Sequence, residues 1–330
     1  MAVDIYYLLH KIVHSKADSV FVIGKHRSGT TGLANHLCEH PDIAGVQHEE
    51  HWGIHESGYF VYVAGRYGPL GSWSNFREFV EVMSASDYFR LSGIEKEYML
   101  SLWPTTYVGF FKSMMDEFAR RQESPIWLEK SPAHTKNALW LAEQYPSARF
   151  IGIVRNITDV VASSLFHNGG KEKPEPKGLE RLVQITRVIY GWVYYNKSIY
   201  ALRRRYPSRT LVLKYEKFNQ ERSNVLKEAC SHLKISFEKD ICSLPYSRNT
   251  SFSGGRTREK SITETERRYI HRLAAVFRRF PYRVYWLLDT LSDRLGRKPD
   301  LPSWFFRISD YKRQERIGAI EYPPSSLDVN

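Results

Sequence analysis

The stretch Val20–His40, VFVIGKHRSGTTGLANHLCEH, limits the folds open to this chain more than any other. Its first four residues, Val20 to Ile23, are β-branched or aromatic with no polar interruption, which reads as a strand buried on both faces. Gly24 ends the run, Lys25-His26-Arg27-Ser28-Gly29-Thr30-Thr31 follows, and Leu33 and Leu37 begin the apolar face of a helix. A strand, a turn with two glycines and a helix start bearing hydroxyls make an anion cradle. The first amides of a helix have no internal partner, and its dipole favours negative charge there. Thr30 and Thr31 add hydroxyl donors, and Arg27 adds a forked cation.

The rest of the chain repeats the strand-then-helix pattern. Ile43–Val46, Pro125–Glu129, Arg149–Arg155 and Thr210–Tyr215 read as strands. Phe76–Met83, Val108–Arg121, Ala138–Tyr145, Ile157–Phe166, Leu179–Tyr206 and Val225–Leu233 read as helices. Asn156 or Thr158 is placed to cap the Ile157 helix. The alternation predicts an α/β fold: a three-layer sandwich with a mainly parallel sheet, a P-loop-like nucleotide-binding topology and helical insertions. We expect one domain over residues 1–330, with a core at about 18–260, a helical insertion at about 54–123 and a carboxy-terminal extension at about 261–330.

Lysine and arginine number 48 against 36 acidic residues, a net charge of +12, which suits an anionic ligand or surface without choosing among them. Cys38, Cys230 and Cys242 have no metal-like spacing and leave one over, which fits a reducing compartment. The first nineteen residues carry an apolar patch too short to span a membrane and lack a signal-peptide cleavage site. The expected location is cytoplasmic.

The opening stretch is almost a nucleotide P-loop. Gly24, Gly29 and Thr31 fit G-x-x-x-x-G-K-[ST], but Thr30 stands where the lysine belongs. A loop cation without that lysine suits a 5′-phosphate without a triphosphate. R-S-G-T-T after a hydrophobic strand resembles the 5′-phosphosulfate loop of sulfotransferases that use 3′-phosphoadenosine 5′-phosphosulfate (PAPS). The resemblance covers about residues 18–260. It implies that Arg27, Ser28, Gly29, Thr30 and Thr31 hold the 5′-phosphosulfate. At the end of the Arg149 strand, Arg155 and, two turns into the next helix, Ser163 match the family's 3′-phosphate pair. Trp127-Leu128-Glu129-Lys130-Ser131-Pro132-Ala133-His134 resembles a segment of glycan and tyrosine sulfotransferases whose lysine approaches the sulfuryl group, which makes Lys130 the second catalytic cation beside Arg27. Ser251–Arg258 matches the family's closing basic loop in composition only, with Arg256 as a phosphate contact.

A general base must take the acceptor's proton. The candidates cluster in His48-Glu49-Glu50-His51, beyond a short strand end. E-x-[HR] after an H-P pair is the family's pattern, which favours Glu49. The spacing from His40-Pro41 is one residue long, so Glu50 and His48 stay open as the base. His48, Glu49, Glu50, His51 and His55 have ligand chemistry but no H-E-x-x-H spacing, and the family needs no metal.

What the resemblance implies is transfer of a sulfuryl group from PAPS to an acceptor hydroxyl, leaving adenosine 3′,5′-bisphosphate. The expected acceptor is a carbohydrate or glycolipid, with tyrosine, a small molecule or a lipid as alternatives. A P-loop nucleotide kinase fits less well, lacking the loop lysine and an Asp closing the Val154 strand. A non-enzymatic basic protein that binds anions or a membrane surface is the rival of another class; no nucleic-acid partner is expected. Residues 267–297 interleave arginines with Leu273, Val276, Phe277, Tyr282, Val284, Tyr285, Trp286 and Leu288, broken by Pro281. Such a segment either packs on the domain with its arginines in solvent or makes a peripheral membrane contact.

Overall fold

The computed structural model describes residues 18–166, 176–243, 262–295 and 301–306. The amino-terminal patch before residue 18 and the 251–258 loop with Arg256 lie outside the described residues.

Seven strands occur among the described residues: β1 (Asp18–Gly24), β2 (Ile43–Gly45), β3 (Gln47–His48), β4 (Gly53–Ile54), β5 (Ile126–Lys130), β6 (Arg149–Val154) and β7 (Thr210–Lys214). β3 and β4 form a small antiparallel hairpin. The other five make one parallel sheet in the order β2-β5-β1-β6-β7. This is the α/β architecture expected from the sequence.

β1 is central because its apolar run serves both faces. Phe21 and Ile23 enter one core and Val20 and Val22 the other. Phe21 stacks on Phe150 at 5.4 Å and meets Trp127 edge-on at 5.5 Å. Such ring pairs add about 0.5–1.5 kcal/mol each beyond area burial. The chain fills β2 and β5 on one side of β1, then crosses to β6 on the other. The strand order therefore reverses beside β1. In open parallel sheets that is where ligands bind, beyond the carboxyl ends of the strands.

Helices cover both faces. α1 (Thr30–Leu37) buries Leu33, Ala34 and Leu37 against Val20 and Val22. Between β4 and β5 lies a wide turn at Tyr59–Val63, then α2 (Trp73–Ala85), α3 (Asp87–Leu91), α4 (Lys96–Ser101) and α5 (Tyr107–Arg121). Phe76, Phe79, Phe110 and Phe111 join that segment to the Phe21 core. α6 (Ala138–Gln144) follows β5, and α7 (Ile157–Leu165) follows β6, capped by the Asn156 side chain, which accepts from Thr158 N–H. α8 (Gly178–Arg205) lies so close to the sheet that a Cβ on Gly152 would sit 2.7 Å from Ile199 Cγ2. α9 (Tyr215–Gln220) and α10 (Arg222–Leu233) complete the Val20 side. α11 (Glu264–Arg279) and α12 (Tyr282–Leu295), separated at Pro281, lie against α8.

Candidate active site

The loop after β1 owes its shape to two left-handed residues, Arg27 at φ 72° and Gly29 at φ 92°. Positive φ is uncommon for a residue with a side chain and is a reason to look for function there. The turn sends the Arg27 side chain towards α7, where its Nε donates to Ser163 Oγ at 2.9 Å. Arg155, just past β6, donates from Nη1 to the Arg27 carbonyl at 2.7 Å. The Arg155 guanidinium also stacks 4.2 Å from the Tyr215 ring centre. Tyr215 in turn holds Gly29 in place: a Cβ there would meet its Cδ2 at 2.3 Å. The Thr135 hydroxyl accepts from the Gly24 amide at 2.9 Å and donates to the Gly24 carbonyl at 3.1 Å, which pins the start of the loop.

Arg27, Arg155 and Ser163 are thus gathered at one sheet edge above the start of α1, with Ser28, Gly29, Thr30 and Thr31 around them. Arg155 and Ser163 both engage Arg27. Ser28, Thr30, Arg155 and Ser163 are buried. Two arginines beside open helix amides suit an anion with more than one phosphate-like group.

Lys130 ends β5 at the same edge and is 2% exposed. Its Nζ donates to Thr31 Oγ1 at 3.2 Å and to Glu56 Oε1 at 2.9 Å. Burial alone would raise the Glu56 carboxyl, but the Lys130 ammonium holds it below the usual carboxylate range. The neighbours of Lys130 in the chain fix it. Glu129 accepts from Ser57 Oγ at 2.7 Å and from Ser131 Oγ. His134 Nε2 lies 3.1 Å from the Phe60 amide, which can only donate, so the ring proton sits on Nδ1 and is given to Glu129 Oε2 at 2.9 Å. Burial would raise the Glu129 carboxyl, and the donors from His134, Ser131 and Ser57 hold it down. The E-K-S-P-x-H segment therefore builds a buried brace under Lys130. His134→Ala should cost about 1.5–3 kcal/mol for the lost charge-assisted bond. Urea unfolding would read it as a lower midpoint with an unchanged slope.

The candidate bases are placed less tightly. His48 ends β3 half-buried, and Glu49 opens the single turn Glu49–His51 and is exposed. Glu50 lies in that turn, and its side chain is outside the description. His51, His55 and Asp87 come together, with donor atoms within 4.8 Å of one another. His51 Nε2 is 3.1 Å from Asp87 Oδ2. The two imidazoles, however, stack at 3.7 Å with planes only 12° apart. Lone pairs in near-parallel planes do not converge on one ion, so the cluster suits hydrogen bonding better than ligation.

Two more basic side chains, one of them a neutral imidazole, belong to the same loop. Burial, helped by Lys136, lowers Lys25 from an ordinary 10.5 to about 8, and its Nζ lies 5.1 Å from the Tyr195 ring centre. Burial and the adjacent Lys25 charge push His26 down to about 4. Tyr215, Thr135, Glu56 and Lys25 were not legible as site residues. Tyr215 had one available signal: it closes a strand-like run at the same sheet edge as Arg155.

The sequence matches the sulfotransferase family across residues 19–239. No curated protein matches it. Among solved structures, the sulfotransferase domain of the Synechococcus PCC 7002 olefin synthase is 18% identical, with 88% of this chain and 98% of that one covered and a TM-score of 0.47. A sulfotransferase from Alicyclobacillus acidocaldarius is 16% identical, with 82% and 98% covered and a TM-score of 0.46. A mouse sulfotransferase complexed with PAP is 15% identical, with 83% and 90% covered and a TM-score of 0.42. These likenesses are distant, and the assignment rests on the family match alone. Its bounds take in the Arg27 loop, Lys130, Arg155 and Ser163, and the chain belongs to the sulfotransferase family.

Proposed function

We propose that this sulfotransferase takes its sulfuryl group from PAPS and passes it to a hydroxyl on a carbohydrate or glycolipid. The observation that carries the donor reading is the joint fixing of Arg27 by Ser163 and Arg155 at the mouth of α1. That arrangement fits a ligand with one anionic group on the loop and a second beside α7. The left-handed Gly29, where any Cβ would strike Tyr215, leaves the backbone bare for close approach of a phosphate.

PAPS supplies an activated sulfuryl group, and adenosine 3′,5′-bisphosphate is what remains after transfer. Arg27 with residues 28–31 would hold the 5′ end, and Arg155 and Ser163 the 3′-phosphate. Lys130, beside Thr31, faces the same end of the loop and neutralises charge there. Glu49, exposed at the start of the Glu49–His51 turn, is the proposed base. Glu56 holds Lys130 before an anion arrives and exchanges that partner when one does. The free thiols of Cys38, Cys230 and Cys242 support a cytoplasmic setting.

The acceptor is tested by labelled-sulfate transfer from PAPS to glycan, glycolipid, peptide-tyrosine and small-alcohol panels. Transfer to tyrosine or a small alcohol alone would reject the carbohydrate reading. Arg155→Ala and Ser163→Ala should each weaken PAPS by about 1.5–3 kcal/mol more than adenosine 5′-phosphosulfate, which lacks the 3′-phosphate. Equal losses with both donors would take these residues out of 3′-phosphate binding.

Lys25 gives a prediction of opposite signs. Its proton is held more weakly in the folded protein than in the unfolded chain, so the charge opposes folding fully below about pH 8 and fades as pH climbs towards 10.5. Lys25→Met should raise the melting temperature of the ligand-free protein at neutral pH, with a gain that shrinks at alkaline pH. The same substitution should weaken nucleotide binding by removing a cation from the loop. A melting temperature that falls at neutral pH would contradict the assignment.

A further inference from the structure

α11 and α12 divide their residues sharply between two sides. On α12, Tyr282 and Tyr285 face inward, their rings 6.0 and 5.6 Å from that of Tyr194 on α8. Tyr285 Oη donates to the Phe277 carbonyl at 2.6 Å. Lys136 Nζ donates to both Asp289 oxygens, at 2.8 and 3.0 Å. The other side is aliphatic and open: Val284 is 36% exposed, Leu287 51%, Leu288 50% and Leu291 42%. At about 100° per residue these four fall within an arc of roughly 100°. Trp286, 52% exposed, lies about 150° round the helix from the centre of that arc, and Phe280, 46% exposed, precedes it.

α11 is split the same way with different chemistry. Ile270 and Ala274 are buried, and the Phe277 ring meets Tyr190 of α8 at 5.9 Å. Its outer face carries Arg268, Arg272, Val276 and Arg279, and Arg283 continues the basic set into α12. An outward basic face thus leads, through Phe280 and Pro281, into an outward aliphatic face. The sequence left open whether this segment packs or docks. In the structure Leu273, Phe277, Tyr282 and Tyr285 pack, whereas Val276, Val284, Trp286 and Leu288 stay outside.

We propose that the outer faces of α11 and α12 dock this protein on an anionic lipid bilayer. An exposed aliphatic stripe edged by Arg283 and led into by a face of outward arginines is the composition of a segment lying in a membrane interface. No helix among the described residues is long and apolar enough to cross a membrane, so the contact is peripheral. Charge selects the bilayer over a second copy of the chain. A second copy carries the same +12 charge and the same outward arginines, whereas anionic headgroups neutralise them. Each basic residue at such a surface multiplies affinity roughly fivefold. The Lys136–Asp289 pair ties α12 to the segment that follows Lys130, so docking would hold the catalytic edge close to the surface. Attachment itself does not depend on the donor reading.

The test is co-sedimentation of the full chain with vesicles of phosphatidylcholine alone or mixed with phosphatidylglycerol, at low and high salt. The protein should bind the mixed vesicles at low salt, at least about tenfold more strongly than phosphatidylcholine alone, and lose most of that at high salt. The double substitution Leu287→Asp with Leu291→Asp should reduce binding at least about tenfold. Its melting temperature and its binding of adenosine 3′,5′-bisphosphate should stay those of the parent. Arg279→Glu with Arg283→Glu should act in the same direction and guards against a folding defect in the first pair. Absence of binding to mixed vesicles at low salt would overturn the proposal. So would binding that survives both pairs of substitutions, or a dimer in solution that the Leu287/Leu291 pair dissolves.

Discussion

Arg27→Ala should lower sulfate transfer by at least about 10³-fold in a protein that still folds. The arginine is half-buried at a loop apex and belongs to none of the three apolar cores, so its removal opens no core cavity. What it removes is a fixed cation already aimed by Ser163 and Arg155. Such a group acts at no reorganisation cost when charge develops, which is why its loss falls on turnover more than on stability. Circular dichroism and thermal melting would establish the fold, and labelled-sulfate transfer the loss. Near-normal turnover in folded Arg27→Ala protein would remove the 5′ loop from the account.

The second large effect separates two carboxylates. Glu49→Gln keeps shape and loses basicity, and should lower turnover by roughly 10²–10⁴ with donor binding intact. Glu56→Gln should act differently, because Glu56 accepts from Lys130, which also donates to Thr31. Neutralising it frees the buried Lys130 ammonium from its only carboxylate partner among the described contacts. Donor affinity should rise or hold, and protein stability should fall, since a buried charge loses its partner. If Glu56→Gln is the dead variant and Glu49→Gln turns over normally, the base is Glu56. If Glu50→Gln alone is dead, the longer spacing from His40-Pro41 has shifted the role by one residue.

The fold was legible where a single run decided both faces of an element. Val20–Ile23 and Arg149–Val154 announce buried parallel strands, and both lie in the centre of the sheet. Gly24, Gly29 and the hydroxyls beyond them announce an anion cradle because helix-start chemistry is local. The Lys130 brace was half legible. Its lysine stood out in the sequence, but Glu129 and His134 draw their partners from Ser57 and Phe60, more than seventy residues earlier in the chain. Tyr215 and Thr135 escaped for the same reason: each acts on the loop only after the parallel sheet has brought distant strand ends together. His51 and His55 were visible as a cluster, yet Asp87 comes from α3 and changes what they can do.

The central claim is that one sheet edge reads two phosphate-like groups of a single nucleotide. Isothermal titration of the intact protein with adenosine 3′,5′-bisphosphate and with adenosine 5′-monophosphate tests it most directly. The account predicts that the bisphosphate binds at least about tenfold more tightly, a gap of about 1.4 kcal/mol or more, and that Arg155→Ala closes most of it. Equal affinity for the two nucleotides, or no binding of the bisphosphate, would contradict it.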